Sequence, residues 1–480
     1  MIRWGILGAG NIAHRFAKSL QNEEDSVLYA ISGRSQEKLD AFRQEFPCEK
    51  TYVGHENMLD DENVDAIYLA LPHGMHKEWA LQALSRGIHV LCEKPAVLNE
   101  AEMKEVSACA KTNNALFMEA MKPRFVPAYT ELKEQLAQGV IGELMHIYTK
   151  ICFEIPKEAI GKSYHTSGKD GGALLDSGIY CASLIEDLLE GEPEFVQTYA
   201  NYYNGVDWYV DSLMKFSNGT AEMEVGFDRK APRDAELTGT KGSITLVDLH
   251  RPQSFVIHHE DGREEEVIVP YDKDDFYSEI HHFVRLIEEG KTESPVHTYA
   301  AMEREAHILD RIRDQYTVYD AEDLKALEQQ EQLLAMESFE SSDALAFGNA
   351  IAETALDYDR PVAIRIDRIS DGLTLFQYMM DGKSAANLKY MDGKKQSVLD
   401  SGHSSAWVYV KMFTGDDLSA WKNDGVHLIS GGAFPVYVNG EIAAVVQVSG
   451  LHEGKDHELI VRALSSVQEK NVPLFDKALG

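Results

Sequence analysis

The stretch "IRWGILGAGNIAHRFAKSL", residues 2–20, decides the fold. Ile2 to Leu7 is an apolar run that reads as a short buried strand, and from Ile12 to Leu20 the apolar residues recur at helical spacing. Between them stands "GAGNIA", Gly8 to Ala13, with GxGxxA spacing. Glycines there let the chain turn tightly and approach a pyrophosphate, which then rests on the first amides of the helix. Gly8, Gly10, Asn11, Ile12 and Ala13 are therefore candidate dinucleotide contacts.

Outward from this turn the strand-and-helix alternation continues. A second strand, Val27 to Ser32, precedes "EKLDAFRQEF", whose Leu39, Phe42 and Phe46 have helical spacing; strand 65–71, helix 76–86, strand 88–92, helix 99–112 and strand 115–118 follow. That order predicts βαβ units and a parallel sheet, a Rossmann dinucleotide-binding domain over residues 1–120. NAD binders usually carry an acid at the end of the second strand for the ribose hydroxyls. Here the strand ends "ISGRS", with Ser32 and Arg34, and Glu23, Glu24 and Asp25 lie before the strand. A small polar residue with a guanidinium suits a 2′-phosphate, so NADP is the expected cofactor and NAD the alternative.

From about residue 140 the pattern changes to runs such as "LMHIYTKICFEI" and "DWYVDSLMKFSNGTAEMEVGF", joined by turn signals at Asn218–Gly219 and Asp261–Gly262. They predict an open, mainly antiparallel α+β sheet domain at 121–317, with helices at 172–190, 276–290 and 298–315. A further α/β unit at 321–480 starts with two helices, "DLKALEQQEQLLAMESF" and "SSDALAFGNAIAETALDYD", the second capped within Ser341–Asp343, and ends in the helix "HELIVRALSSVQEK".

The formal net charge of −33 argues against a nucleic-acid or anionic-membrane partner, because phosphate binding needs a basic patch. Five cysteines, none in a CxxC pair, suggest reduced thiols and no metal site. No apolar run reaches membrane-spanning length. The start at "MIRWGILGAG" leaves no room for a signal peptide, so the expected compartment is the cytoplasm.

Two further stretches carry chemistry. In "IHVLCEKPAVLNE", residues 88–100, an apolar strand ends in Glu93–Lys94, and Pro95 fixes the next residue. An isolated ammonium at a strand end is commonly a solvated charge. In "GGALLDSGIY", residues 171–180, Asp176 and Tyr180 stand four apart on a predicted helix and so share a face. Taken alone, Tyr180 reads as a core aromatic.

The glycine turn, "LPHGMH" (Leu71 to His76) and "CEKP" together resemble the Gfo/Idh/MocA oxidoreductase family over residues 1 to about 316. The resemblance implies a Rossmann domain paired with an open sheet that binds substrate and builds a homo-oligomer. It implies that Lys94 sits beside the nicotinamide and the reacting carbon, with a Lys94–Pro95 bond that is often cis. It also implies cofactor contacts from Leu71, Pro72, His76, Glu93, Pro95 and Arg124, with Glu93 orienting the loop. The family's Asp-x-Gly-x-His motif has Tyr in the branch resembling dihydrodiol, xylose and anhydrofructose dehydrogenases or reductases, so Tyr180 is the implied proton donor or acceptor and Asp176 its neighbour. That branch often has Trp-Thr-Arg-Phe where this chain has "KPRF", Lys122 to Phe125, and a Trp-Arg pair where this chain has Tyr164 and His165 within "GKSYHTSGKD".

The tail has its own resemblance. "LISGGAFPVYV", "VSGLHEGKDHELIV" and "SGHSSAWVYVKMF" look like the GlcG/HbpS-like, so-called heme-degrading proteins, which implies a profilin-like α/β fold that tends to form oligomers. A nucleophile at Ser404 or Ser405, served by His403 and by His457 or Asp456, would need an elbow that a strand-like run does not provide. His427, His452 and His457 lack the spacing of a compact metal or heme site.

The expected protein is thus an α/β oxidoreductase, NADP-preferring, acting on a small-molecule sugar, cyclic polyol or dihydrodiol. The rival readings are a dinucleotide-binding sensor or scaffold, and a protein whose main activity is heme or small-ligand binding by the tail.

Overall fold

A computed structural model describes every residue except 169, 415–417, 422, 423, 453 and 480. The chain divides into two compact units. Met1–Asn201 with Asp207–Tyr316 forms the first, and Tyr202–Val206 with Thr317–Gly480 the second.

The first unit holds two sheets. In one, β1 (Ile2–Leu7), β2 (Ser26–Gly33), β3 (Lys50–Val53), β4 (Ala66–Leu69), β5 (His89–Cys92) and β6 (Phe117–Glu119) run parallel in the order β3-β2-β1-β4-β5-β6. All four residues of β4 and five of the six in β1 are buried, as expected for strands covered on both faces. The strand order reverses between β1 and β4, so a crevice opens at their carboxyl ends. Gly8, Leu71–Pro72 and Glu93–Lys94 lie just past β1, β4 and β5. Gly8 has φ of 100°, and a Cβ there would meet the Ala70 carbonyl oxygen at 2.5 Å. Only glycine fits that turn.

The second sheet takes β7 (Leu144–Cys152), β8 (Phe195–Tyr203), β9 (Val206–Lys215), β10 (Thr220–Gly226), β11 (Ala235–Gly239), β12 (Gly242–Val247), β13 (Ser254–His259) and β14 (Glu264–Ile268) in the order β14-β13-β12-β11-β7-β10-β9-β8. It is mixed. β7 and β10 pair in parallel, while β9–β10 and the run β7-β11-β12-β13-β14 are antiparallel. The parallel pair follows from the long connection between its strands, which carries the helix Ile179–Leu188. One face packs Ile147, Met223, Ile244 and Phe255 into the core, while Tyr148 and Glu222 alternate outward.

The predicted helix at 172–190 is really two elements, a π-helical turn at Leu174–Gly178 and an α-helix at Ile179–Leu188. The helices expected at 276–290 and 298–315 occupy Tyr277–Glu288 and Tyr299–Arg313.

In the second unit, β15 (Ala363–Arg368), β16 (Thr374–Met379), β17 (Ala433–Val438) and β18 (Glu441–Ser449) form an antiparallel sheet ordered β16-β15-β18-β17. Helices Ser341–Thr354 and Lys455–Val467 pack over the core built on Ile364, Phe434 and Val446, and helix Ala385–Ser401 lies against β17 and β18. "SGHSSAWVYVKMF" is not a strand. Ser404 accepts from Trp407 N and caps the helix Ser405–Phe413. The alternating burial of Ala406, Val408 and Val410 imitates a strand period, and packing overrides it.

Candidate active site

A cleft of about 900 Å³ opens at the reversal point of the parallel sheet, entirely within the first unit. Gly8, Gly10, Asn11 and Ile12 line one end with Arg34 and Lys38; Leu71, Pro72, His76, Glu93 and Lys94 line the middle; Asp176 and Tyr180 face them. A Cβ at Gly10 would meet no protein atom within 4 Å, so the glycine leaves space open on the cleft side of the turn. The helix Asn11–Leu20 has no acid in its first turn, which suits an anion. The turn, the first amides of this helix and Arg34 and Lys38 therefore fit a dinucleotide phosphate.

Lys94 is carried by the end of β5, and its peptide bond to Pro95 is cis. Its Nζ donates to Asp176 Oδ1 at 2.9 Å and to the Asp176 carbonyl at 2.7 Å, and it lies 4.9 Å from the centre of the Tyr180 ring. The carbonyl that accepts it belongs to the π-helical turn, a widening that often accompanies functional sites. Burial opposes the Lys94 charge, but the Asp176 carboxylate and then the Tyr180 phenol outweigh it and raise the lysine pKa. Burial likewise pushes the Asp176 carboxyl up, and the Lys94 charge, with His165 and His73, brings it down to about 2. The pair is an ammonium and a carboxylate at neutral pH.

Glu93 accepts from the Tyr68 hydroxyl and from Lys94 N at 3.2 Å, and so braces the loop from behind. The ring nitrogens of His76 sit 2.8 Å from the Pro95 carbonyl and 2.7 Å from the Leu71 carbonyl, clasping the two loops together.

Four expected contacts do not line the cleft. Ala13 is buried in its helix, and Pro95 packs beneath the loop. Ser32 turns inward, with Oγ 2.7 Å from His55 Nδ1. Arg124 is buried away from the cleft, and its guanidinium donates to Ser183 Oγ at 2.7 Å, Glu186 Oε2 at 2.5 Å and Glu305 Oε1 at 2.7 Å. With those acceptors satisfied, Arg124 is a structural cross-link of the first unit.

Several lining residues were not in the expected set. His73, next to His76 in "LPHGMH", places Nδ1 3.1 Å from the Asp170 carbonyl; His165 Nδ1 lies 3.5 Å from Asp176 Oδ1, and Tyr164 packs edge-on to His73. Burial lowers the pKa of both histidines, so they are neutral imidazoles. Tyr164 and His165 stand where the sequence departs from the family's Trp-Arg pair, which was the available signal. His73, His165 and Asp176 bring possible metal ligands within 4.8 Å of one another, yet the Lys94 ammonium already holds the carboxylate. Lys122, Arg233, His250 and Arg251 line the side beyond Tyr180. Lys122 opens the 3-10 turn Lys122–Phe125, Arg233 lies in a loop and His250 and Arg251 follow β12, with no shared sequence pattern.

In the second unit the residues weighed for a nucleophilic group hold structural partners, in keeping with the reading against such a group. Ser405 Oγ accepts from Ala433 N at 2.9 Å, His403 binds Glu331, and Asp456 pairs with Lys394 at 2.9 Å. His427, His452 and His457 hold separate partners in Asp400 with Asp424, Arg360 and Gln330.

Residues 2–121 match the family described as "Oxidoreductase family, NAD-binding Rossmann fold", residues 129–245 the "GFO/IDH/MocA C-terminal domain", and residues 339–465 the "Haem degrading protein HbpS-like" family. A scyllo-inositol 2-dehydrogenase (NADP(+)), IolU of Bacillus subtilis, is 31% identical over 331 residues, covering 67% of this chain and 99% of that protein. The trans-1,2-dihydrobenzene-1,2-diol dehydrogenase of Mus musculus is 32% identical over 326 residues, covering 65% and 96%. Among solved structures, KijD10, a 3-ketoreductase from Actinomadura kijaniata in complex with TDP-benzene and NADP, superposes with a TM-score of 0.58 at 27% identity, over 65% of this chain and 96% of that one. With the Rossmann cleft and the Lys94–Asp176–Tyr180 group in place, these matches establish that the chain belongs to the Gfo/Idh/MocA oxidoreductase family.

Proposed function

We propose that the protein is an NADP-preferring dehydrogenase or reductase acting on a CH–OH group of a sugar, cyclic polyol or dihydrodiol. The observation that carries this reading is the Lys94 ammonium, which has three donors and spends two on Asp176. The third is left for a substrate oxygen beside Tyr180. Gly8 to Ile12 and the helix they open would hold the pyrophosphate, and Arg34 and Lys38 a 2′-phosphate. Bound there, the nicotinamide supplies the hydride acceptor for oxidation or the donor for reduction.

The protein's own groups handle the oxygen and its proton. As a carbinol carbon gives up hydride to the bound nicotinamide, its hydroxyl proton passes to Tyr180 Oη acting as the phenolate, leaving the phenol, and Lys94 Nζ stabilises the oxygen; in reduction the Tyr180 phenol gives that proton back. Asp176 keeps Lys94 charged and aimed. Tyr164 and His165 wall the site beside Asp176.

The proposed division of labour is a dinucleotide domain at 1–120, a substrate and oligomerisation domain at 121–317 and an oligomerising tail at 321–480. Exposed Phe195, Tyr199 and Leu213 on β8 and β9 favour a homo-oligomer built on that sheet. No helix among the described residues is long and apolar enough to cross a membrane, and the five cysteines are free, which accords with a reducing cytoplasm. The testing experiment is a panel of polyols, aldoses and a dihydrodiol with NADP+ and NAD+, followed by the absorbance of the reduced nicotinamide. Turnover at lower KM with NADP+ is expected; tight dinucleotide binding without hydride transfer to any member would favour a sensor instead.

A further inference from the structure

Although the chain carries a formal charge of −33, its cleft is cationic. Seven lysines and arginines line it against two carboxylates, Glu93 and Asp176. Arg34 and Lys38 serve the dinucleotide end in the reading above, and Lys94 is matched by Asp176. Arg15 is also matched, because its Nη2 donates to both oxygens of Asp275 at 2.7 and 2.8 Å. Lys122, Arg233 and Arg251 remain.

These three gather beyond Tyr180. Lys122 is buried, with Nζ 5.9 Å from the centre of the Tyr180 ring, and the His250 ring lies 5.8 Å from the same ring. Lys122 Nζ and Arg251 Nε reach Asp275 Oδ2 only at 3.4 and 3.3 Å, and Arg251 Nε is buried with no hydrogen-bond partner among the described residues. Arg233 Nε is 3.8 Å from Asp248 Oδ1, which lies closer to His250 Nδ1, at 2.7 Å. Glu279, packed near Lys122, does not offset the charge: burial, and then Glu93, raise its pKa well above the carboxylate range and keep it neutral. A buried ammonium and an unsatisfied guanidinium nitrogen beside a reaction centre call for an anion. Lys122 is also the first residue of "KPRF", where the resembling branch often carries tryptophan.

We propose that the substrate carries an anionic group, a carboxylate or a phosphate, held by Lys122, Arg233 and Arg251 while its reacting carbon faces Lys94 and Tyr180. This assignment rests on the oxidoreductase reading of the same cleft. The substrate class is thereby a sugar acid or sugar phosphate rather than a neutral polyol, and the arginine forks give it a bidentate grip.

The test uses the full-length protein saturated with NADPH, titrated calorimetrically with D-glucuronate, D-glucose 6-phosphate and D-glucose, beside the variant Arg233→Gln/Arg251→Gln. Both arginines are more than two-fifths exposed, so the variant keeps its fold, checked by its melting temperature. One anion is expected to bind at least about tenfold tighter than glucose, and the variant to lose about tenfold or more of that affinity with NADPH binding unchanged. The glucuronate and phosphate arms tell which group is recognised. Glucose binding as tightly as both anions, or anion binding unchanged in the variant, overturns the proposal. A loss of NADPH affinity in the variant also overturns it, by assigning the arginines to the cofactor. Turnover with the same three compounds separates the two readings. Arginine-dependent anion binding without hydride transfer leaves the anion subsite standing and removes the oxidoreductase reading. Turnover of glucose alone does the reverse.

Discussion

Replacing Lys94 by methionine keeps the apolar stem and deletes the charge. The ammonium gives two donors to Asp176 and leaves one for the substrate oxygen. Removing a donor aimed at developing charge costs about 10²–10³ in turnover, or ~3–4 kcal/mol. The resting protein changes as well. The Asp176 carboxyl, held at about 2 against an ordinary value of 3.8, contributes about 2 kcal/mol of stability at neutral pH. Because the folded value is the lower one, that contribution is present above the unfolded value of about 4 and is lost as pH falls through about 2. In Lys94→Met the carboxyl loses its main partner and protonates at higher pH, so the acid unfolding midpoint rises. The assay is kcat/KM from reduced-nicotinamide absorbance, with NADPH affinity from its fluorescence and acid unfolding by circular dichroism. Expected are a loss of kcat/KM of about 100-fold or more and an NADPH Kd within about tenfold of the parent. A variant keeping more than about a tenth of the parent kcat/KM refutes the role given to Lys94. Parallel loss of turnover and NADPH affinity would instead make the lysine a cofactor ligand.

Three further outcomes follow from the geometry. Gly10→Ala meets no protein atom and should melt with the parent while losing about tenfold or more in NADPH affinity, whereas Gly8→Ala, at φ of 100° and 2.5 Å from the Ala70 oxygen, should destabilise by about 1–3 kcal/mol in calorimetry. Arg124→Met strands Glu186 and Glu305 and should cost about 3–5 kcal/mol in denaturant unfolding while the folded fraction binds NADPH normally; weaker binding at unchanged stability would restore a cofactor role. Lys394→Met leaves Asp456 buried beside the Gly450 and Leu451 amides without its cation, so the second unit should lose about 3–5 kcal/mol, and an unshifted calorimetric transition would contradict the buried pair.

Which parts were readable before folding depended on how local their cause is. The glycine turn declared itself because Gly8 needs a positive φ that other residues avoid, and because strand, turn and helix are contiguous in sequence. The "CEKP" and "DSGIY" stretches could be paired only through family resemblance, since 82 positions separate Lys94 from Asp176 and nothing local says they meet. Arg124 was misassigned for the same reason. Its neighbours in sequence say nothing of Glu186 and Glu305, which arrive from distant helices. The tail helix Ser405–Phe413 was hidden by an alternating burial that packing, not propensity, produced.

The sequence by itself determined the parallel sheet and the phosphate-fitting turn, because hydrophobic period and glycine spacing act within a few residues of one another, while the Lys94, Asp176 and Tyr180 group was legible only through the family resemblance. Only the tertiary structure decided that β7 and β10 run parallel, that Asp176 sits in a π-helical turn whose carbonyl receives Lys94, and that Lys122, Arg233 and Arg251 converge beyond Tyr180. Each of those depends on charges and strands brought together across long loops, where Coulomb energy and packing act over distances in space that chain order does not encode.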